Sequence, residues 1–120
     1  MATFSKQILS GSTNGKGIAI ANTATPGNTI HATGTSAAIY DEIWLYATNT
    51  SASAVVLTVE FGGVATTSDL IKVSIPSQSG LTLVCAGLIL RGTGAAALTV
   101  TAFAATTNVI EIFGYVNRIA

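Results

Sequence analysis

The sequence predicts an all-β protein: a jelly-roll-like antiparallel β-sandwich of about eight strands over residues 29–120, with an extended N-terminal arm over residues 1–28. Three observations carry this. No stretch of ten or more residues places apolar side chains at helical spacing. Short runs of β-branched and aromatic residues recur instead, at fairly even intervals. Between them lie turn formers: Asn14-Gly15, Pro26-Gly27, Asn49-Thr50-Ser51, Gly62-Gly63, Pro76 through Gly80, and Gly92-Thr93-Gly94. At 120 residues the chain fits one domain, and strands at this spacing favour a sandwich or barrel.

Strands are expected over 3–10, 17–21, 29–33, 40–48, 54–61, 70–75, 81–90, 97–104 and 109–118. Alternation assigns their faces, because neighbouring residues in a strand point to opposite sides. Val55, Leu57, Val59 and Phe61 share one face, against Val56, Thr58 and Glu60. Ile71, Val73 and Ile75 likewise oppose Leu70, Lys72 and Ser74. The run Leu81 through Leu90 is apolar on both faces, so it is either central and covered twice or placed at a subunit interface. In the last strand Ile110, Ile112 and Val116 face one way, with Val109, Phe113 and Tyr115 the other way. The first 28 residues are rich in turn formers and poor in core residues. They read as an arm that packs on the domain or on a neighbour.

Composition bears on partners. The hydrophobic fraction of 49% is ordinary, but only 8% of residues are charged, against roughly 25% in a typical soluble chain. The acids (Asp41, Glu42, Glu60, Asp69, Glu111) and bases (Lys6, Lys16, Lys72, Arg91, Arg118) cancel to zero. A lone domain with so little charge tends to associate, so part of the surface is expected to be covered by copies of itself or by a partner. Five scattered bases form no phosphate-neutralising stripe, so nucleic acid is not an expected partner. No Lys/Arg-rich amphipathic helix speaks for a membrane surface. The opening Met1-Ala2-Thr3-Phe4-Ser5-Lys6 is not followed by an apolar core and cleavage site, so no secretory leader is expected. A single cysteine, Cys85, makes no intrachain disulfide and suits synthesis in a reducing cytosol.

Candidate chemistry is thin. Gly11-Ser12-Thr13-Asn14-Gly15-Lys16-Gly17 approaches a phosphate-binding loop, but its spacer is one residue short and Gly17 stands where the magnesium-binding hydroxyl belongs. Asp41 and Glu42 are sequence neighbours in a strand, so they point apart and cannot share a proton or a sugar ring. Glu60 and Glu111 reach Asp41 only through tertiary contact. His31 is the sole histidine, and a dyad with Cys85 would need a third group to orient the imidazole. Cys85 itself reads as a small buried hydrophobe. Tyr40, Trp44 and Tyr46 alternate with Glu42 along one strand. Such a row can stack sugars or anchor an interface, and it is read here as one face of the core. No catalytic, cofactor-binding or metal-ligating residue is expected, and no small-molecule substrate.

A longer pattern runs through Thr29-Ile30-His31, Asp41-Glu42-Ile43-Trp44-Leu45-Tyr46-Ala47-Thr48-Asn49, Leu57-Thr58-Val59-Glu60-Phe61-Gly62-Gly63 and Leu70-Ile71-Lys72-Val73-Ser74-Ile75-Pro76. It closes with Gly80 through Gly92, Phe103-Ala104-Ala105, Asn108-Val109 and Gly114-Tyr115-Val116-Asn117-Arg118-Ile119. This pattern, over about three quarters of the chain, resembles small virion structural proteins of tailed bacteriophages, of the jelly-roll head decoration or cement type. The resemblance implies a capsid-surface protein made in the host cytoplasm, a homotrimer by preference, that binds the major capsid protein lattice. It brings no catalytic residues. On this reading the arm before Thr29 reaches a capsid subunit or sister protomer, and its removal leaves the β-fold. The rival reading is a jelly-roll module of a tail or fibre that binds host glycans.

Overall fold

The computed structural model describes residues 2–120 and contains nine strands and no helix among them. They are β1 (Phe4–Ile8), β2 (Ile18–Ala19), β3 (Asn28–Ala32), β4 (Tyr40–Asn49), β5 (Val55–Phe61), β6 (Leu70–Ile75), β7 (Thr82–Arg91), β8 (Thr99–Ala104) and β9 (Ile110–Ile119). All nine expected strands are present. Two antiparallel sheets pack face to face as a β-sandwich. One has the order β1-β9-β4-β7, with β2 continuing beside β9 beyond the end of β1, and the other the order β3-β8-β5-β6. Six connections cross between the sheets, and β5–β6 is the one pair of successive strands that also pair with each other.

The turns that separate the strands follow from local chemistry. Asn14 and Gly15 both take positive φ, at 56° and 85°, which glycine and asparagine tolerate best. The phosphate-loop-like stretch is therefore the bend between β1 and β2. Its Ser12 hydroxyl donates to the Lys16 carbonyl at 2.6 Å, and no helix follows.

Alternation places the core. From β4, Ile43, Leu45 and Ala47 are fully buried, and from β5, Val55, Leu57 and Val59. Val100, Ala102 and Ala104 of β8 and Ile110, Ile112 and Val116 of β9 complete the facing layers. These side chains, small at Ala47, Ala102 and Ala104 and branched elsewhere, fill the space between the two sheets.

The segment read as an arm lies within the sandwich. Its β1 and β2 both pair with β9, and Leu9 and Ile20 are core residues. Gly11 packs directly on β3, donating its N–H to the Ile30 carbonyl at 2.9 Å. The segment's two strands and its packing on the domain match the expectation; its core side chains do not show in the turn-rich composition, because two isolated apolar residues leave almost no periodic signal.

Candidate interaction surface

Two groups of polar and aromatic side chains merit a functional reading. The first is a buried cluster that ties the sheets together. His31 on β3 and Asp41 on β4 meet at 2.8 Å between Nε2 and Oδ2. Arg118 on β9 donates from Nε to Asp41 Oδ1 at 2.8 Å and from Nη2 to Oδ2 at 3.0 Å. The Ser10 N–H donates to His31 Nδ1 at 3.0 Å. The imidazole is thus neutral in this arrangement, with its hydrogen on Nε2 directed at Asp41. Burial raises the Asp41 pKa, but the hydrogen bonds from Arg118 and His31 and the charge of Arg118 outweigh it and hold the carboxyl below its ordinary range. The Arg118 guanidinium is shifted up by the same contact.

This His–Asp pair has the look of half a catalytic triad. Both imidazole nitrogens are already engaged, however, and neither ring nor carboxylate reaches solvent. Cys85 is not part of it. Its Sγ donates to the Ile43 carbonyl at 3.2 Å, and burial pushes its thiol up, away from the reactive thiolate. Glu60 is likewise satisfied: Thr25 Oγ1 and the Gly27 N–H bind it from the loop before β3, and Thr101 Oγ1 from β8. Burial raises its pKa and these three donors bring it below the usual value. As expected, Asp41 and Glu42 point to opposite faces. No cavity opens among the described residues.

The second group is the outer face of the β1-β9-β4-β7 sheet. Tyr40, Trp44 and Tyr46 lie here, not in the core: the inward residues of β4 are Asp41, Ile43, Leu45, Ala47 and Asn49. This is the opposite side from the one expected, because both faces of β4 are apolar enough to be buried.

Register aligns this face in rows across the strands. One row is Phe4, Ile119, Tyr40 and Arg91, and the next is Lys6, Asn117, Glu42 and Ile89. Then come Ile8, Tyr115, Trp44 and Ala86, followed by Phe113, Tyr46 and Leu83. Glu111 and Thr48 close the series.

Glycines keep this face low. A side chain at Gly87 would meet the Trp44 ring and one at Gly17 the Phe113 ring, so Trp44 leans over β7 and Phe113 over the residue before β2. Trp44 and Tyr115 run nearly parallel, 10° apart with centroids 6.1 Å from each other. Trp44 Nε1 donates to Glu42 Oε1 at 2.7 Å and Asn117 Nδ2 to the same oxygen at 3.0 Å; these two bonds lower the Glu42 pKa. The Lys6 ammonium sits 4.8 Å above the Tyr115 ring. Glu111 keeps one buried carboxylate oxygen without a hydrogen-bond partner among the described residues, and burial raises its pKa.

The doubly apolar strand β7 is the edge of this sheet. Its register skips Gly87 and Val84 opposite β4, two bulges that interrupt the alternation. They put Leu83 and Ile89 on the outer face and leave Leu88 exposed as well. From Thr82 to Leu90 no charge or proline guards the edge. Being an edge removes the first of the two expected placements for this strand, a central position covered on both faces. Compared with known proteins, the chain matches no family model, no curated protein and no solved structure.

Proposed function

We propose that this chain is a structural subunit that works by binding protein surfaces, as a decoration or cement protein on the head of a tailed bacteriophage. The observation that carries the binding role is the outer face of the β1-β9-β4-β7 sheet. Phe4, Ile8, Tyr40, Leu83 and Ile89 all stand exposed on that one face. Exposed apolar side chains gathered on one face mark interaction surfaces, whereas singly scattered ones need no explanation. The capsid as the partner is supported by the resemblance in sequence pattern. Repeated crossing between the sheets supports the jelly-roll form of the sandwich.

A cement protein clamps neighbouring capsid subunits by summing many modest contacts, so avidity replaces any single strong site. Low charge suits it, since few ions need be stripped of water when the surfaces meet. The test is the copy number in purified particles, measured by quantitative mass spectrometry against the major capsid protein. Copies in the hundreds, on the order of a capsid lattice, are expected; absence from particles overturns the proposal.

A second reading, a tail or fibre module that binds host glycans, is favoured by one feature. The near-parallel Trp44 and Tyr115 rings lie beside the Glu42 carboxylate, a pairing of apolar planes and acceptor that suits a sugar. A copy number of a few to a few tens, with saturable sugar quenching of Trp44 fluorescence, selects that reading.

A further inference from the structure

We infer that the outer face of the β1-β9-β4-β7 sheet is the contact between two copies of this chain, packed sheet on sheet about a two-fold axis. The inference rests on the protein-binding role proposed above and gives this face to a second copy, so that capsid binding falls to the surface the pair leaves outside.

The face has the size for it. β4, β7 and β9 are ten residues long and β1 five; at about 3.4 Å per residue and about 4.8 Å between strands they cover roughly 570 Å² in plan. Two such faces remove roughly 1,150 Å², above the ~1,000 Å² expected of a specific interface. The exposure is concentrated here too: Phe4 is 71% exposed, Ile8 54%, Leu83 51% and Ile89 57%. The outer face of the other sheet differs in kind. Lys72, Ser74 and Thr99 are exposed there, Val56 is its one exposed large apolar side chain among the described residues, and the loop before β3 is bound across Glu60.

The register makes the face complementary to itself. A two-fold axis parallel to the strands and midway between β9 and β4 sets each β9 over the other copy's β4, and each β1 over β7. Rows are preserved, so Asn117 lies opposite Glu42 and Tyr115 opposite Trp44, each contact made twice. Glu42 Oε2, which takes no hydrogen bond from the described residues, then has an amide within its row. At the margin Arg91 lies over Phe4, a cation on an aromatic face. Two cations (Lys6, Arg91) and two anions (Glu42, Glu111) leave the face neutral, so a second copy meets no net repulsion. This association is two-fold, unlike the trimer that the resemblance implies.

The test is the mass of the purified full chain by light scattering and sedimentation over a concentration series. Wild type is expected at twice the chain mass. Ile8→Lys and Ile89→Lys each alter an exposed side chain that the fold does not need. Each is expected to weaken association at least about tenfold. Val56→Lys and Val64→Lys, exposed elsewhere, are expected to leave it unchanged. Circular dichroism verifies that all four variants remain folded. A monomeric wild type overturns the inference and leaves the face to the capsid or a glycan. A trimer, or an assembly that survives both lysines, overturns it as well. Copy number in particles is independent of this outcome, so failure of the pairing and failure of the proposed role are told apart.

Discussion

Asp41 is the residue on which the two sheets are most visibly tied. It takes hydrogen bonds from His31 on one sheet and Arg118 on its own, and both His31 and Asp41 are buried. Breaking a buried pair by removing one partner costs about 3–5 kcal/mol. Arg118 is about one-third exposed, and water can replace part of what it loses. Asp41→Asn is therefore expected to lose about 2–3 kcal/mol at neutral pH, measured by urea unfolding. The pH dependence has a definite sign. The folded pKa of Asp41 is depressed, so its contribution is complete above the ordinary value of 3.8 and disappears as pH falls through the folded value. Glu60 acts in the same direction. Glu111, with its pKa raised, acts in the opposite one: its contribution is present in acid and lost as pH rises. The gap between wild type and Asp41→Asn should therefore narrow below about pH 4; a gap that stays constant down to acid unfolding would refute the account. None of this cluster was legible in the sequence. His31 and Asp41 lie ten residues apart on different sheets, and Arg118 is far along the chain, so only the sandwich brings them together. That Asp41 and Glu42 diverge was legible, because strand geometry alone requires it.

At the scale of elements, the N-terminal segment and β7 hold the main lessons. Removing residues 1–27 takes away β1, β2, Leu9 and Ile20, and uncovers the flank of β9. A Leu or Ile lost from a core costs about 2–5 kcal/mol, and two such losses approach the whole stability of a domain this size. The truncated chain is expected to lose its cooperative unfolding transition and to aggregate through the bared β9 edge. A sharp thermal transition near that of wild type would show instead that the segment is dispensable. Sequence reading and structure divide along a physical line here. Strands with regular alternation were legible: 70–75 was expected and β6 spans Leu70–Ile75. In β7, two bulges absorb Gly87 and Val84, and a run that looks apolar on both faces becomes an edge with outward leucine and isoleucine. A bulge depends on the partner strand, so no single-strand pattern announces it. The aromatic row of β4 fell on the unexpected side for a related reason, since which apolar face turns inward depends on what the opposite sheet offers.

Across the whole molecule, the two ends of the described chain are bonded together. Thr3 donates its N–H to the Ala120 carbonyl at 2.6 Å, and Ala120 returns the bond to the Thr3 carbonyl at 2.9 Å. β1 and β9 run antiparallel from that point, so the first and last strands are neighbours in one sheet. A short glycine-serine linker from Ala120 to Thr3 therefore imposes no rearrangement. The chain can then be opened between Thr66 and Thr67, both exposed in the turn that joins β5 to β6. Opening there leaves the core intact, because every core side chain lies outside that turn. It does remove the one hairpin formed by successive strands, so the β5–β6 pairing becomes a distant contact. Joining the termini makes the β1–β9 pairing local in exchange. Equilibrium stability of this permutant is expected to stay within about 1–2 kcal/mol of wild type, since loop closure costs change only slowly with length. Folding kinetics should move more, because rates follow the sequence distance of contacts. If the β5–β6 hairpin is the nucleus, the permutant refolds more slowly while its unfolding rate is unchanged. Faster refolding would place the nucleus at the β1–β9 closure instead.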